Sequence, residues 1–168
     1  MPLSMYETSV PCFIRMLTCL DAILVKAQAH AAAKKIDSSV LLNSRLFPDM
    51  FPLMRQIQIA TDHAKGAVSR LAGVEVPKYE DNEQTMDDIR ARLAKTIAFV
   101  GSFEAAQIDG SEDDTITLTV GGQERSFDGV NYLQGFALPN FYFHLVTAYN
   151  ILRHNGVEIG KRDYMGNP

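Results

Sequence analysis

Several catalytic signatures are missing from this chain of 168 residues. It has no CxxC pair, no phosphate-binding glycine loop, no dinucleotide fingerprint and no Ser-His-Asp arrangement. Cysteine is scarce, with only Cys12 and Cys19 present. Seven residues apart on one predicted helix, their α-carbons stand roughly 10 Å apart at ~1.5 Å per residue. A disulfide needs them within ~7 Å, so these two do not pair. Buried free thiols and a reducing cytoplasm are expected. Positive charge is not concentrated either. Lys and Arg number 16 against 20 Asp and Glu, a net charge of −4, and they are scattered among the acids. That excludes the basic face of a nucleic-acid binder. No apolar run is expected to reach the ~20 residues of a membrane span. The start MPLSMYETSVP lacks the basic head and unbroken apolar stretch of a secretory leader.

What is present is ordinary for a soluble globular protein: 46% hydrophobic and 21% charged residues. The length predicts one domain over 1–168 with a real core. Apolar residues recur at alternating steps of four and three in four long stretches, the spacing of a helix face. The first runs over 4–33 through Ser9, Phe13, Met16, Leu20, Ile23 and Ala27. Pro11 predicts either a kink or a later start. Asp37 or Ser38 caps a short helical connection over 37–46. The second long helix runs over 48–72 through Met50, Met54, Ile57, Thr61, Ala64, Val68 and Leu71, closed by Gly73. After a polar crossing, Thr85 and Asp88 form a capping box for a third helix over 86–102. Arg90, Arg92 and Lys95 are expected on its wet side.

The period then changes. ITLTV and QERSF flank Gly121-Gly122, the signal for a two-residue β-hairpin. Asp128 caps the last helix, Pro139 bends it, and Gly156 ends it after Asn155. The predicted fold is all-α, a four-helix bundle with a small hairpin between helices three and four.

Within the last helix Asn140 and His144 stand where Leu or Ile is expected, on the face of Leu133, Ala137, Thr147 and Ile151. Being four apart, they project together. His63, on the second long helix beside the small residues Ala60 and Ala67, supplies a third polar group. Imidazoles from two helices of a bundle suit a divalent metal, with a further position left for water. The amide of Asn140 is a poorer ligand. The alternative is a polar cluster in which these groups satisfy each other, or a metal-free pocket. His30 and His154 are expected at the surface, and the GKRDY run at 160–164 as a solvated tail or a dimer contact.

His63 on the second helix, together with NFYFHLVTAYNILRHNGVEIGKRDY in the fourth, resembles the DinB-like (YfiT-like) four-helix-bundle metalloenzyme superfamily. MYETSVP, DHAKGA and LRHNGVEIGKRDY are more specifically similar to a bacterial branch known only as a domain of unknown function. The resemblance covers nearly the whole chain. It implies a metal held by a helix-two His and a His-x-x-x-His pair on helix four. His63 matches the first, His144 the second member of the pair, and Asn140 falls where its first member stands. It also implies a homodimer, and thiol transfer as the activity of some relatives. Two readings follow. One is a degenerate or metal-free His/Asn pocket, binding a small molecule or serving a structural role. The other is a transferase or hydrolase that uses zinc, nickel or manganese on His63, Asn140 and His144. No residue is assigned to catalysis.

Overall fold

The four-three stripes become helices, and the change of period becomes a hairpin. A computed structural model describes residues 4–166. In order these are α1 (Met5–Ala33), α2 (Ser38–Leu42), α3 (Leu53–Leu71), α4 (Met86–Val100), α5 (Ala105–Ile108), β1 (Ile116–Val120) and β2 (Gln123–Phe127). A π-helical segment (Asn131–Ala137), α6 (Leu138–His154) and α7 (Lys161–Met165) complete the chain. The chain is mainly helical with one two-stranded antiparallel sheet. Helix α3 packs most extensively on α6 and also on α4, while α1 lies against α4 and touches α3 and α6. The core between them is apolar, with Phe13, Leu17, Leu24, Ile57, Leu93, Phe141 and Ile151 removed from solvent. Phe13 and Phe141 meet edge to face at 4.9 Å. Ala60, Ala64 and Ala67 are buried on α3, and such small side chains allow a neighbouring helix to approach closely.

Several boundaries differ from the expectation, each for a backbone reason. Helix α1 begins at Met5 on the Ser4 cap and runs through Pro11. Pro11 and Glu7 are both exposed, so the carbonyl that loses its helical donor reaches water. By length and composition α1 is apolar enough to cross a membrane, contrary to the expectation that no stretch would be. Half of that apolar stretch is buried against the rest of the chain. Helix α3 starts at Leu53 rather than at residue 48. Pro52 is extended, and the residue before a proline avoids the helical region.

The Thr85–Asp88 capping box forms in both directions, at 3.1 and 2.9 Å. Arg92, expected on the wet side of α4, has a side chain only 2% exposed. It points inward because Thr61, Asp62, Asp81 and Glu83 offer it oxygens there. Arg90 instead makes a two-pronged pair with Asp21. The cysteines are unpaired but only half-buried, and Cys12 contacts the Tyr142 hydroxyl at the edge of the core.

The hairpin has the expected turn, with φ of 58° and 79° at Gly121 and Gly122, and Val120 opposite Gln123. Both positive angles are what a two-residue turn between twisted strands requires. Asp128 accepts from the Asn131 amide at 2.8 Å and opens the last helical stretch. Pro139 does more than bend it. The chain before it is π-helical, with Leu138 bonding back five residues to Leu133. Proline has no N–H to close the α-helical bond four residues back, so the wider turn absorbs the defect. Gly156, at φ +85°, ends α6, and Val157 turns back to Leu152 at 3.1 Å. The tail is not free in solvent. Helix α7 packs on α1, where Asp163 pairs with Lys26, and Tyr164 meets Tyr149 at 5.9 Å.

Candidate functional site

Helix α3 carries polar side chains at Gln56, His63 and Arg70. Steps of seven are nearly two full turns, so the three share one face with a drift of only ~20° per step. Across from them α6 presents His144 and Asn140, and the π-helical segment presents Tyr132 and Phe136. The imidazoles of His63 and His144 come together with centroids 6.0 Å apart and planes within 15°. Phe136 closes one side, 5.8 Å from the His63 ring.

Gln56 fixes the state of His144. It is 2% exposed, its Nε2 donates to the Phe51 carbonyl at 3.0 Å, and its Oε1 lies 2.7 Å from His144 Nδ1. A flipped amide would set oxygen against the Phe51 carbonyl, so the amide orientation is determined by both ends. His144 therefore donates from Nδ1 and keeps a lone pair on Nε2. His63 makes no hydrogen bond to another described side chain or backbone group. Burial pushes its pKa down to about 4, with the His144 ring and Arg70 adding to the effect and Asp62 opposing it. Burial also lowers His144, helped by the Arg55 guanidinium. Both rings are neutral at pH 7.

Asn140 stands on the same helix as His144 but makes no hydrogen bond to either imidazole. Its Nδ2 donates to the Phe136 carbonyl one turn back, at 2.7 Å. Among the described residues no three His, Cys, Asp or Glu side chains cluster to hold a metal. Two imidazoles on one tetrahedral ion have centroids roughly 5 Å apart at metal–nitrogen distances of ~2.0 Å. The 6.0 Å observed would have to close by about that difference. Two imidazoles and an amide fall short of the three His, Cys, Asp or Glu side chains of such a cluster. They make two neutral ring nitrogens, an amide and an aromatic wall.

Gln56, Phe136, Arg70 and Tyr132 were not among the sequence-based candidates. The seven-residue spacing of Gln56, His63 and Arg70 is the signal that finds the first and third. Tyr132 is buried, and its hydroxyl accepts from Arg70 Nη1 at 3.0 Å. Burial raises its pKa. Phe127 of β2 lies tilted against Phe136 at 5.5 Å, so an aromatic wall runs from the hairpin to His63. Beyond that wall lies an open groove of about 580 Å³ lined by Thr115, Ser126, Phe127, Asp128, Asn131 and Gly135. His154 is exposed as expected, whereas His30 is half-buried.

Helices with this order, a hairpin before the last long helix and a histidine pair between the second and fourth long helices define a DinB-like protein. A crystal structure of a DinB family member protein from Shewanella denitrificans is similar at a TM-score of 0.89. The two are 44% identical over 97% of this chain and 92% of that one. Residues 5–165 match the family described as Domain of unknown function (DUF1993), and the chain belongs to that family. No curated protein matches it.

Proposed function

We propose that this is a DinB-type four-helix-bundle protein, homodimeric and cytoplasmic, whose His63–His144 pocket binds a small organic molecule without a resident metal. One observation carries the reading. Gln56 fixes the Nδ1–H tautomer of His144, which burial keeps neutral with Nε2 free, beside a second neutral imidazole that has no partner among the described residues. Unpaired ring nitrogens next to an aromatic face suit a ligand with a flat apolar body and a protic group. Asn140, tied back to its own helix, leaves the ligand to the two rings. The unpaired cysteines agree with a reducing compartment. Exposed Phe143 and Val146 on the outer side of α6 offer apolar surface for self-association, which sedimentation at several concentrations tests.

A divalent-metal-dependent transferase or hydrolase is the second reading, and the same glutamine favours it. An imidazole that donates from one nitrogen to a carbonyl-type oxygen presents the other as a good ligand. His63 and His144 would hold the ion, with Asn140 or water completing it, and the ion would supply Lewis acidity.

Elemental analysis separates the two. Untagged protein is incubated with zinc, nickel and manganese in turn, alongside His63→Ala and His144→Ala. Protein that retains no metal, while library compounds shift the His63 and His144 resonances, supports the pocket. Near-stoichiometric metal, lost in both variants, overturns it in favour of the metal reading.

A further inference from the structure

Four arginines of the described chain are less than fully exposed, Arg92 buried and Arg55, Arg70 and Arg90 partly so. Three of them are held by carboxylates, Arg55 by Asp81, Arg90 by Asp21, and Arg92 by Asp62, Asp81 and Glu83. Arg70 has none. Its only hydrogen bond to another described residue is from Nη1 to the Tyr132 hydroxyl, and its guanidinium also lies 5.9 Å from the centre of that ring. A guanidinium has five N–H donors in a fixed fork, so most of this one's capacity is unused.

The position of that fork is unusual. Arg70 lies two turns beyond His63, about 10 Å along the axis at ~1.5 Å per residue. Its side chain nevertheless folds back along the helix. A Cβ built on Gly66 would come within 2.5 Å of Arg70 Nη1, so the guanidinium lies over residue 66, one turn from His63. Glycine leaves the room, and Tyr132, 1% exposed, anchors the end. Tyr132 stacks on Phe136 at 6.1 Å, and Phe136 meets His63 edge to face at 5.8 Å. Fork, aromatic wall and imidazoles are thus contiguous. The nearest acid on this helix, Asp62, is engaged by Lys65 and Arg92 and leaves Arg70 uncompensated.

We propose that Arg70, folded over Gly66 and anchored on Tyr132, makes the His63–His144 pocket selective for a monoanionic carboxylate whose apolar body lies along Phe136. The proposal rests on the pocket reading above. The fork matches a carboxylate in two-pronged geometry. One full positive charge beside two neutral rings balances one negative charge. A phosphate dianion would be left half-compensated.

Phenylacetate, its uncharged isostere phenylacetamide and inorganic phosphate are titrated into the intact protein while the four histidine ring resonances are followed. His30 and His154 serve as internal references. Phenylacetate should shift His63 in a saturable way, and phenylacetamide should not at the same concentration. Arg70→Gln should weaken phenylacetate roughly tenfold or more, the usual scale for a hydrogen bond to a charged group. Its urea midpoint is measured alongside to show that the variant is folded. Tyr132→Phe, which keeps the cation but frees it, should give a smaller loss. Equal affinity of wild type and Arg70→Gln overturns the proposal and leaves Arg70 a clamp on Tyr132. Phosphate binding as tightly as phenylacetate overturns the carboxylate assignment. If acids fail but uncharged library compounds move His63 and His144, the pocket stands and this proposal falls. If no compound moves them, the pocket reading falls first.

Discussion

Arg92→Met should be among the most destabilising single changes in this chain. The arginine donates to Thr61 Oγ1 at 2.7 Å, Asp62 at 2.9 Å, Asp81 at 3.0 Å and Glu83 at 2.9 Å. The four do not contribute equally. Asp62 and Asp81 are 37% and 39% exposed, and keep Lys65 and Arg55 as partners, so losing Arg92 costs each of them little. Glu83 is different, with a side chain 9% exposed and only the Gln58 amide left at 2.8 Å. A buried carboxylate stripped of its cation costs about 3–5 kcal/mol, and methionine fills part of the vacated volume. The expected loss is therefore near the lower end, about 3 kcal/mol. Urea unfolding at one protein concentration measures it. Glu83→Gln in the Arg92→Met background should recover a large part, because it removes the stranded charge. A cost below about 1 kcal/mol, the scale of a surface pair, would refute the argument. So would a failure of Glu83→Gln to recover stability, since the penalty would then lie in packing.

Acidification should weaken the fold through His63. Its pKa falls from 6.5 to about 4 on folding, so the unfolded chain binds the extra proton between those values. Stability is full above pH ~6.5 and declines as pH drops toward 4, by up to about 3 kcal/mol at ~1.36 kcal/mol per pKa unit. His63→Asn should flatten that part of the urea-midpoint profile; an unchanged slope would exclude His63 as its origin. Gln56→Leu should release His144. It strands the Phe51 carbonyl and the His144 Nδ1–H, costing about 1–3 kcal/mol. Ring nitrogen shifts should then move from a single Nδ1–H tautomer toward a mixture, and a retained single tautomer would show that another group sets it.

Most of the helical architecture was legible because burial imposes a period. Helices α1, α3, α4 and α6 each announce themselves by a four-three stripe, and the hairpin by a change of period around two glycines. The boundaries were less legible where proline acts. Pro11 is tolerated because its orphaned carbonyl faces water, while Pro52 delays α3 by five residues from the expected start. Pro139 produces a π-helical segment that no periodicity count detects, since the count assumes one residue advance throughout. Arg92 was misplaced for a related reason. Reading one helix by itself assigns an arginine to water, and only the acids arriving from α3 and from the crossing at 80–83 turn it inward.

The histidine pair is legible as polar residues that interrupt an apolar face, whereas its surroundings lie along α3 and do not show in the pattern of α6. On α6 the interruption is Asn140 and His144, but Asn140 satisfies itself on the Phe136 carbonyl and contributes no bond to the pair. On α3 the interruption is Gln56, His63 and Arg70, and each has a part on one strip of surface. Gln56 sets a tautomer, His63 offers an unpaired ring, and Arg70 folds its charge back toward that ring over a glycine. Each interacts with a different group across the interface: His144, Phe136 and Tyr132. A polar heptad matched by three separate partners is hard to explain as packing alone, because leucine at all three positions would pack α3 against α6 with fewer buried polar groups to satisfy. That asymmetry is the reason to look for the ligand along α3, from the neutral rings toward Arg70, rather than at the position of Asn140.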